Sequence, residues 1–551
     1  MNIKASQKMK NKHVLRFTVV ALFLISATSL NYFEIHKQLD IFSHIFKEIN
    51  LYYVDETDPA KLMDKAIQSM LSSLDPYTTY IKESEIENFR IQTTGQYGGI
   101  GASIRKREDY VMVVSVYKDA PADKAGVRPG DLLLAIDDKS LKGFSDSEVS
   151  ALLKGSPGTQ FTLKVQRGDR ILDLKINREE IQLKAVPYCG YVAPGIGYIN
   201  LTNFTDKASK EIKDALTDLQ KNADLKGVIL DLRGNPGGLL SEAINVSNIF
   251  IPKGQEIVST RGKIKEWERS YRTLDNPVNT DVPLVVLINR GSASASEIVS
   301  GAVQDLDRGV VIGQRSFGKG LVQQTRKLSY GAQLKVTVSK YYTPSGRCIQ
   351  AINYSQRNED GSVSSVADSL RRSFTTRNGR TVYDGGGIDP DIVTEPRRFS
   401  PILSALIQNN LIFDWVTLFV DKKGRDKIDV NFRLSDNEWT AFKNWLKDKE
   451  VSYQTRTEKL LSEIVETTKD EQYFVEIENE LNKLKKRFQR SKEDDVEKNK
   501  QEIVRYLEEE IVSRAQYQEG RIQKSLTADH DVAEAIRVLT HPDEYRKILN
   551  P

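Results

Sequence analysis

The sequence predicts an α/β (α+β) multidomain chain: an α/β core preceded by a small domain of short strands and flanked by helical segments. Three observations carry that expectation. From Tyr191 to Val393, apolar strand-like runs alternate with helical ones in the manner of an α/β layer. From Gly95 to about Glu180, short alternating runs are punctuated by Gly, Asp and Pro. Towards both ends, apolar residues recur at three- and four-residue steps, the period of an amphipathic helix. At 551 residues the chain is too long for one core and suits about three or four domains. The expected regions are 1–30, a leader; 31–92, helical; 93–182, the small strand domain; 183–399, the α/β core; and 400–551, a helical extension.

The leader carries Lys4, Lys8, Lys10, Lys12 and Arg16 before an apolar run from Phe17 to Leu30. A charged stretch followed by so short an apolar one reads as a signal peptide or signal anchor; a comfortable span needs about 20 residues. Small residues at Ala27-Thr28-Ser29 suit cleavage after Ser29, with an uncleaved membrane anchor as the alternative. Either way the body of the chain is expected to be exported. Next, Leu39, Phe42, Ile45, Phe46 and Ile49 mark one helix. Asp58-Pro59 opens a second that stops at Leu74-Asp75-Pro76. In the small domain VMVVSVY, DLLLAID, FTLKVQR and ILDLKIN read as strands, with a helix at roughly Ser145–Leu153. In the core GVILDLR, PLVVLIN, VVIG and QLKVTVSKYY are strands, and GGLLSEAINVSNIF and ASASEIVSGAVQDL helices. Residues 355–384 are polar and are expected to form an irregular surface excursion. Beyond Ser400 the pattern is helical and highly charged, suited to packing on a core or on a second copy.

Composition excludes more than it assigns. Eighty basic residues nearly balance 76 acidic ones, for a net charge of +4, so no nucleic-acid partner is expected. Cys189 and Cys348 lie far apart and are expected to be two separate thiols, since spacing alone establishes no disulfide.

The chemistry is expected at two strand ends. Ser294 lies where PLVVLIN breaks on Arg290-Gly291 and small residues lead into a helix. A serine there stands beside helix-terminal N–H groups able to bind an oxyanion. The competing reading has Ser292, Ser294 and Ser296 merely capping and packing the helix. A nucleophilic serine needs a base. The only histidines are His13, His36, His44, His530 and His541, all near the termini, so no imidazole comes from between Leu51 and Asp529. Lys319, in Phe317-Gly318-Lys319-Gly320, is then the candidate base. An ordinary lysine, with a pKa near 10.4, is protonated; burial beside apolar neighbours such as Phe317 and Leu321 is what would free its lone pair. Gln323, four residues on, shares its face and is placed to orient the amine. The bend Asp231-Leu232-Arg233-Gly234-Asn235-Pro236-Gly237-Gly238 points backbone N–H groups outward. It lacks the GK[ST] of a phosphate loop, and an oxyanion hole shared with Ala295 suits it better.

Taken together these stretches resemble the carboxyl-terminal processing peptidases, or tail-specific proteases. The likeness runs from about Phe42 to Val393 through LDPYTTY, YGGIGASI, APADKAGVRPGDLLLAIDDKSL, LDLRGNPGGLL, GSASASE, GKGLVQ, YYTPSGR and GGGIDPDI. It implies a crotonase-like/ClpP-like protease core with an inserted PDZ domain. Ser294 would be the nucleophile, Lys319 the base and Gln323 the third member, with oxyanion donors at Gly237 or Gly238 and at Ala295. No catalytic position departs from the pattern; Tyr77 stands where many relatives have histidine. A PDZ domain captures a peptide's end by strand addition and a glycine-rich loop, here Gly98, Gly99, Ile100 and Gly101. The helix bearing Val149, Leu152 and Leu153 would be the other wall, selecting an apolar final side chain. Arg167, ending FTLKVQR, is a candidate regulatory link between peptide capture and the dyad, against a plain solvent-facing arginine.

The expectation is thus an exported serine endopeptidase, in the periplasm or on the periplasmic face of the inner membrane, acting on proteins with free C-termini and needing no cofactor or metal. Self-association through the helical regions is a further expectation. The alternatives are a catalytically inactive PDZ adaptor and a crotonase-like acyl enzyme.

Overall fold

The computed structural model describes residues 32–222, 224–357 and 362–550; the expected leader, 1–30, lies outside them. The chain divides into two compact units, one of residues up to Ile81 with Thr325–Val336 and one of Lys82–Gln324 with the rest.

The first unit contains helices α1 (32–52) and α2 (Pro59–Ser72). Asp58 caps α2, its carboxylate accepting the N–H groups of Ala60 and Lys61, and Pro59 fills the first turn, where its missing N–H costs nothing. The Asp75 carboxylate accepts the N–H groups of Tyr77 and Thr78, both at 2.8 Å, and turns the chain into β1 (Thr79–Ile81), which pairs with residues 333–335. Much of the apolar face of these helices is exposed, including Leu39, Phe42, Ile45 and Met70.

In the second unit, α3 (Ile86–Thr94) ends at the left-handed Gly95 and leads to β2 (Gln96–Gly99). The small domain follows: β3 (Ala102–Arg107), β4 (Tyr110–Val116), α4 (Pro121–Lys124), β5 (Leu132–Ile136), β6 (Lys139–Ser140), α5 (Asp146–Leu153), β7 (Gln160–Arg167) and β8 (Arg170–Asn177). The antiparallel order β3-β4-β5-β7-β8 leaves β3 at an edge, and β2 pairs with β9 (Glu179–Gln182). Alternation puts Val111, Val113, Leu163 and Val165 in its core.

The α/β core comprises β10 (Tyr188–Ala193), β11 (Ile196–Asn200), α6 (Ala208–Asn222), β12 (Gly227–Asp231), α7 (Leu240–Phe250), β13 (Glu256–Gly262), β14 (Arg269–Arg272), β15 (Leu284–Ile288), α8 (Ala295–Asp305), β16 (Val310–Gly313), β17 (Leu321–Lys327) and β18 (Gln333–Tyr342). The stretch expected to be irregular instead holds two short hairpins, β19 (Ile352–Arg357) with β20 (Val363–Ser365) and β21 (Ser373–Thr375) with β22 (Thr381–Tyr383). Alternation within each is enough to close a hairpin without burying an apolar face, which hid them in so polar a sequence. With β23 (Ile392–Val393), the central sheet runs β10-β11-β12-β15-β16-β23 and is parallel after the first pair.

Strands so uniformly apolar must be covered on both faces. Leu230, Val286 and Ile288 meet α6, α7 and α8 on one side. Ile229, Val285, Leu287 and Ile312 face the other, which the far end of the chain covers: α16 (His530–Leu539) and α17 (Pro542–Leu549) contribute Val532, Ala535, Val538, Leu539, Tyr545 and Leu549. Burying each valine and leucine among them contributes about 1.5–3 kcal/mol. Residues 530–549 are thus a layer of the core.

Between β23 and α16 in the chain come α9 (Pro401–Gln408), α10 (Leu411–Lys423), α11 (Asp436–Lys447), α12 (Arg456–Asp470), α13 (Phe474–Glu493), α14 (Asp495–Lys498) and α15 (Lys500–Leu526). α9, α10, α11 and α15 share a core around Trp415, Trp439, Phe442, Leu507 and Ile511. Among the described residues no single helix is long and apolar enough to cross a membrane.

Candidate active site

Ser294 sits at the turn from β15 into α8, at φ 55° and ψ −111°. Left-handed backbone is strained for a residue with a Cβ and persists only where the surroundings hold it. Its neighbours divide the work. Ser292 donates to the Leu232 carbonyl at 2.8 Å and Ser296 to the Asn235 carbonyl at 2.9 Å, tying the turn to the 231–238 bend. Ser294 is itself the N-cap of α8, with Glu297 closing a capping box on its N–H.

The Glu297 carboxylate, one helical turn on and fully buried, fixes the geometry. One oxygen accepts the N–H of Ser294 at 2.8 Å and the N–H of Lys319 at 2.9 Å. The other accepts the N–H of Gly318 at 2.7 Å and the hydroxyl of Ser316 at 2.5 Å. Burial pushes its pKa up although all four donors pull it down. The Tyr341 hydroxyl makes a second bridge, to the carbonyls of Lys319 at 2.5 Å and of Ser294 at 3.2 Å. Ser294 and Lys319 thus share a partner on both their N–H and their C=O sides. The glycines flanking the lysine permit this: a Cβ on Gly318 would lie 2.4 Å from the Ala351 Cβ, and one on Gly320 would lie 2.8 Å from the Gln350 nitrogen. Lys319 is half-buried. Leu321 is buried as expected, but Phe317 is 48% exposed and so is no apolar wall for the amine. The reason is local: the Phe317 N–H is bound to the Ser292 carbonyl, and Gly318 turns at φ 86°. Gln323 lies two and four residues beyond Leu321 and Lys319, and its Nε2 donates to Thr337 Oγ1 at 3.2 Å.

The glycine bend closes the site from the other side. The Asn235 side chain donates to the Leu201 carbonyl and accepts the N–H of Gly237 at 2.9 Å, so that amide is already engaged. The N–H of Ala295, in the first turn of α8, has no intrahelical acceptor to reach. A Cβ on Gly237 would lie 2.9 Å from both the Ala295 nitrogen and the Ser294 Cβ. It would also lie 2.7 Å from the Ala293 carbonyl oxygen, so Gly237→Ala must shift the turn that carries Ser294 and is expected to lower kcat about a hundredfold, as a misplacement of about 1 Å does; steady-state kinetics on a peptide check this.

The bend is anchored from the end of the chain. Arg233 binds Asp231 through Nε at 3.0 Å and Nη2 at 2.6 Å, and reaches Asp529 at 2.9 Å and Asp531 at 2.9 Å, where α16 begins. Tyr198 donates to Asp231 at 2.6 Å. The sequence reading missed Glu297, Tyr341, Asn235 and this cluster. Only Glu297 had a local signal, an acid three residues past a serine at a helix start.

In the small domain Gly98 and Gly99 belong to β2, Ile100 is buried, and Gly101 turns at φ 71°. Val149 and Leu153 face the domain core, leaving Leu152 half-buried. Arg167 does not face solvent: it forks onto Asp131 with two 2.7 Å bonds and reaches the Gly126 carbonyl, all within the domain. Cys189 and Cys348 are both free thiols; burial raises the first to about 11.

Three family models match the chain: peptidase family S41 over residues 195–356, a PDZ domain over 112–167, and the C-terminal helical domain of probable PDZ-proteases over 402–539. A carboxy-terminal-processing protease of Bartonella bacilliformis is 42% identical over 332 residues, which are 59% of this chain and 76% of that one. A probable CtpA-like serine protease of Staphylococcus aureus is 39% identical over 336 residues, 60% of this chain and 67% of that one. Among solved structures, the photosystem II D1 C-terminal processing protease is 28% identical, covering 65% of this chain and 92% of its own, with a TM-score of 0.36. The peptide-bound PDZ domain of a Vibrio cholerae carboxy-terminal protease is 25% identical over 16% of this chain and 99% of its own, with a TM-score of 0.15.

Proposed function

We propose, for a chain that belongs to the carboxy-terminal-processing proteases of peptidase family S41, that this serine-type peptidase cleaves through a Ser294–Lys319 dyad after its PDZ domain has captured a protein's C-terminus. The observation that carries this reading is the shared frame: one buried carboxylate holds the N–H groups of Ser294 and Lys319, and one phenol reaches both carbonyls.

In the reaction the neutral Lys319 amine takes the Ser294 proton as the oxygen attacks the peptide carbonyl. The tetrahedral oxyanion accepts hydrogen bonds from Ala295 and from Gly238, the N–H of Gly237 being engaged by Asn235. The lysine then gives its proton to the departing amine, leaving an acyl-enzyme on Ser294. Water, deprotonated by the same amine, attacks the acyl carbon; as the acyl–oxygen bond breaks the amine returns that proton to the Ser294 oxygen, and the acid leaves. Gln323 positions the amine.

The free edge of β3 and the loop Gly98–Gly101 receive the substrate's end, as a PDZ domain does. Arg167 serves this only indirectly, by holding Asp131 within the domain. The leader at 1–30 supports an exported enzyme, in the periplasm or on the periplasmic face of the inner membrane. The exposed apolar face of α1 and α2 supports self-association.

A fluorophosphonate probe tests the centre. The parent is expected to gain one adduct, found at Ser294 by peptide mass spectrometry, and Ser294→Ala none. A parent that binds C-terminal peptides yet stays unlabelled would be an adaptor.

A further inference from the structure

Helices α12 and α13 form an αα-hairpin, joined by residues 471–473 and packed on each other. Among their described side chains only Leu461 and Leu481 are buried. The burial pattern fixes which way each helix turns. In α12 the inward stripe is Leu461, Val465 and Thr468; in α13 it is Ile477, Leu481 and Phe488, again at steps of three, four and seven. At about 100° per residue, Leu460 and Ile464 fall on one flank of the first stripe and Leu484 on one flank of the second. Because the helices run antiparallel, those two flanks turn to the same side of the hairpin. The three side chains are 48%, 48% and 44% exposed, an apolar strip that the chain itself leaves in water.

The same flank carries charge in a fixed order. Towards the bend it presents Glu471, Glu476 and Glu480, and away from the bend Arg487 and then Arg456, all exposed. From tip to root the flank therefore reads acidic, apolar, basic, over about 22 Å at the helical rise. The hairpin as a whole repeats that division. Residues 463–480 hold seven acidic side chains against one lysine, whereas 481–487 hold four basic ones and no acid. A partner of one charge sign would therefore suit only one end of the flank.

We propose that this flank is an interface to a second copy of the chain, the two hairpins lying antiparallel about a two-fold axis. A face ordered in this way is its own complement when turned end for end. Glu471, Glu476 and Glu480 of one copy then meet Arg456 and Arg487 of the other, and the apolar strips meet between them. The strips supply the buried area, and the charges set the register and exclude a parallel arrangement, which would put like charges together. Ile464, about midway between Glu471 and Arg456 in the chain, lies nearest the axis. This surface is separate from the α1–α2 face and does not depend on the Ser294–Lys319 reading.

Mild oxidation of the full chain carrying Ile464→Cys tests this on a non-reducing gel, with the parent, whose free thiols are Cys189 and Cys348, as background. An interchain disulfide is expected for Ile464→Cys and not for Ser462→Cys, which is exposed on the opposite flank. Within the Ile464→Cys chain, Arg456→Glu with Arg487→Glu sets acid against acid, and Glu476→Lys with Glu480→Lys sets cation against cation. Each pair of changes should slow cross-linking at least about tenfold. An equimolar mixture of the two charge-reversed chains restores both contacts, so its cross-linking should recover, which also shows that both variants fold. No cross-link above the parent's background overturns the proposal and leaves the flank to a partner other than this chain. Equal cross-linking of Ser462→Cys, undiminished rates in the charge-reversed chains, or a mixture that stays slow overturn it as well.

Discussion

Lys319→Ala is expected to lower kcat at least about a thousandfold, the upper part of the range for removing a general base, and to leave the fold intact. The two halves of that expectation have different causes. The loop is held through backbone atoms: the N–H of Lys319 goes to Glu297, its carbonyl takes the Tyr341 hydroxyl, and the flanking glycines pack flush against Ala351 and Gln350. Truncating the side chain touches none of these, so the unfolding temperature should move by only a few degrees. What disappears is the proposed base, and the sequence between Leu51 and Asp529 holds no histidine to stand in for it. Lys319→Arg sharpens the test. It keeps length and positive charge, but a guanidinium does not release its proton in a protein. A base role therefore predicts an equal loss for Arg and Ala, whereas a purely electrostatic role predicts that Arg rescues. The measurement is kcat on a peptide alongside thermal unfolding; near-parent turnover by Lys319→Arg would remove the lysine from proton transfer.

The elements that bear the proposed chemistry stand out in the sequence because they break local rules. An apolar strand ending in SASAS, a lysine between glycines and an NPGG bend each put small residues where a sequence would otherwise continue a strand or helix. What was not legible depends on contacts between residues far apart in the chain. Nothing near Arg233 indicates that Asp529 and Asp531 complete its ion pairs. The periodicity of 530–549 says amphipathic helix; only the closed sheet shows that it covers Ile229, Val285 and Leu287. Val149 and Leu153 read as a groove wall because a helix period gives a face but not what the face meets. Arg167 ends an alternating strand, where solvent exposure is the ordinary fate, and its pairing with Asp131 is a matter of the strand register between β5 and β7.

Glu297→Gln is expected to lower kcat/KM by about a hundred- to a thousandfold while sparing most of the fold. As a carboxylate, Glu297 offers lone pairs on both oxygens to the donors from Ser294, Ser316, Gly318 and Lys319. A glutamine keeps the shape but has one acceptor oxygen, and its NH2 group would face two of those donors. If the amide oxygen stays on the Ser294 and Lys319 side, Gly318 and Ser316 lose their acceptor; if it flips, the dyad backbone does. Each buried donor left without an acceptor costs about 1–3 kcal/mol, and the bond to Glu297 is what holds the N–H of the strained Ser294 backbone. Relaxing that φ by a few tens of degrees moves the hydroxyl away from the attack line, and misplacement of about 1 Å is enough for a hundredfold loss. Tyr341→Phe removes the weaker bridge and should cost about tenfold. The ordering Glu297→Gln below Tyr341→Phe, read in the rate of fluorophosphonate labelling, separates positioning from global stability: a loss that tracks unfolding temperature alone would make Glu297 only a buried structural acid.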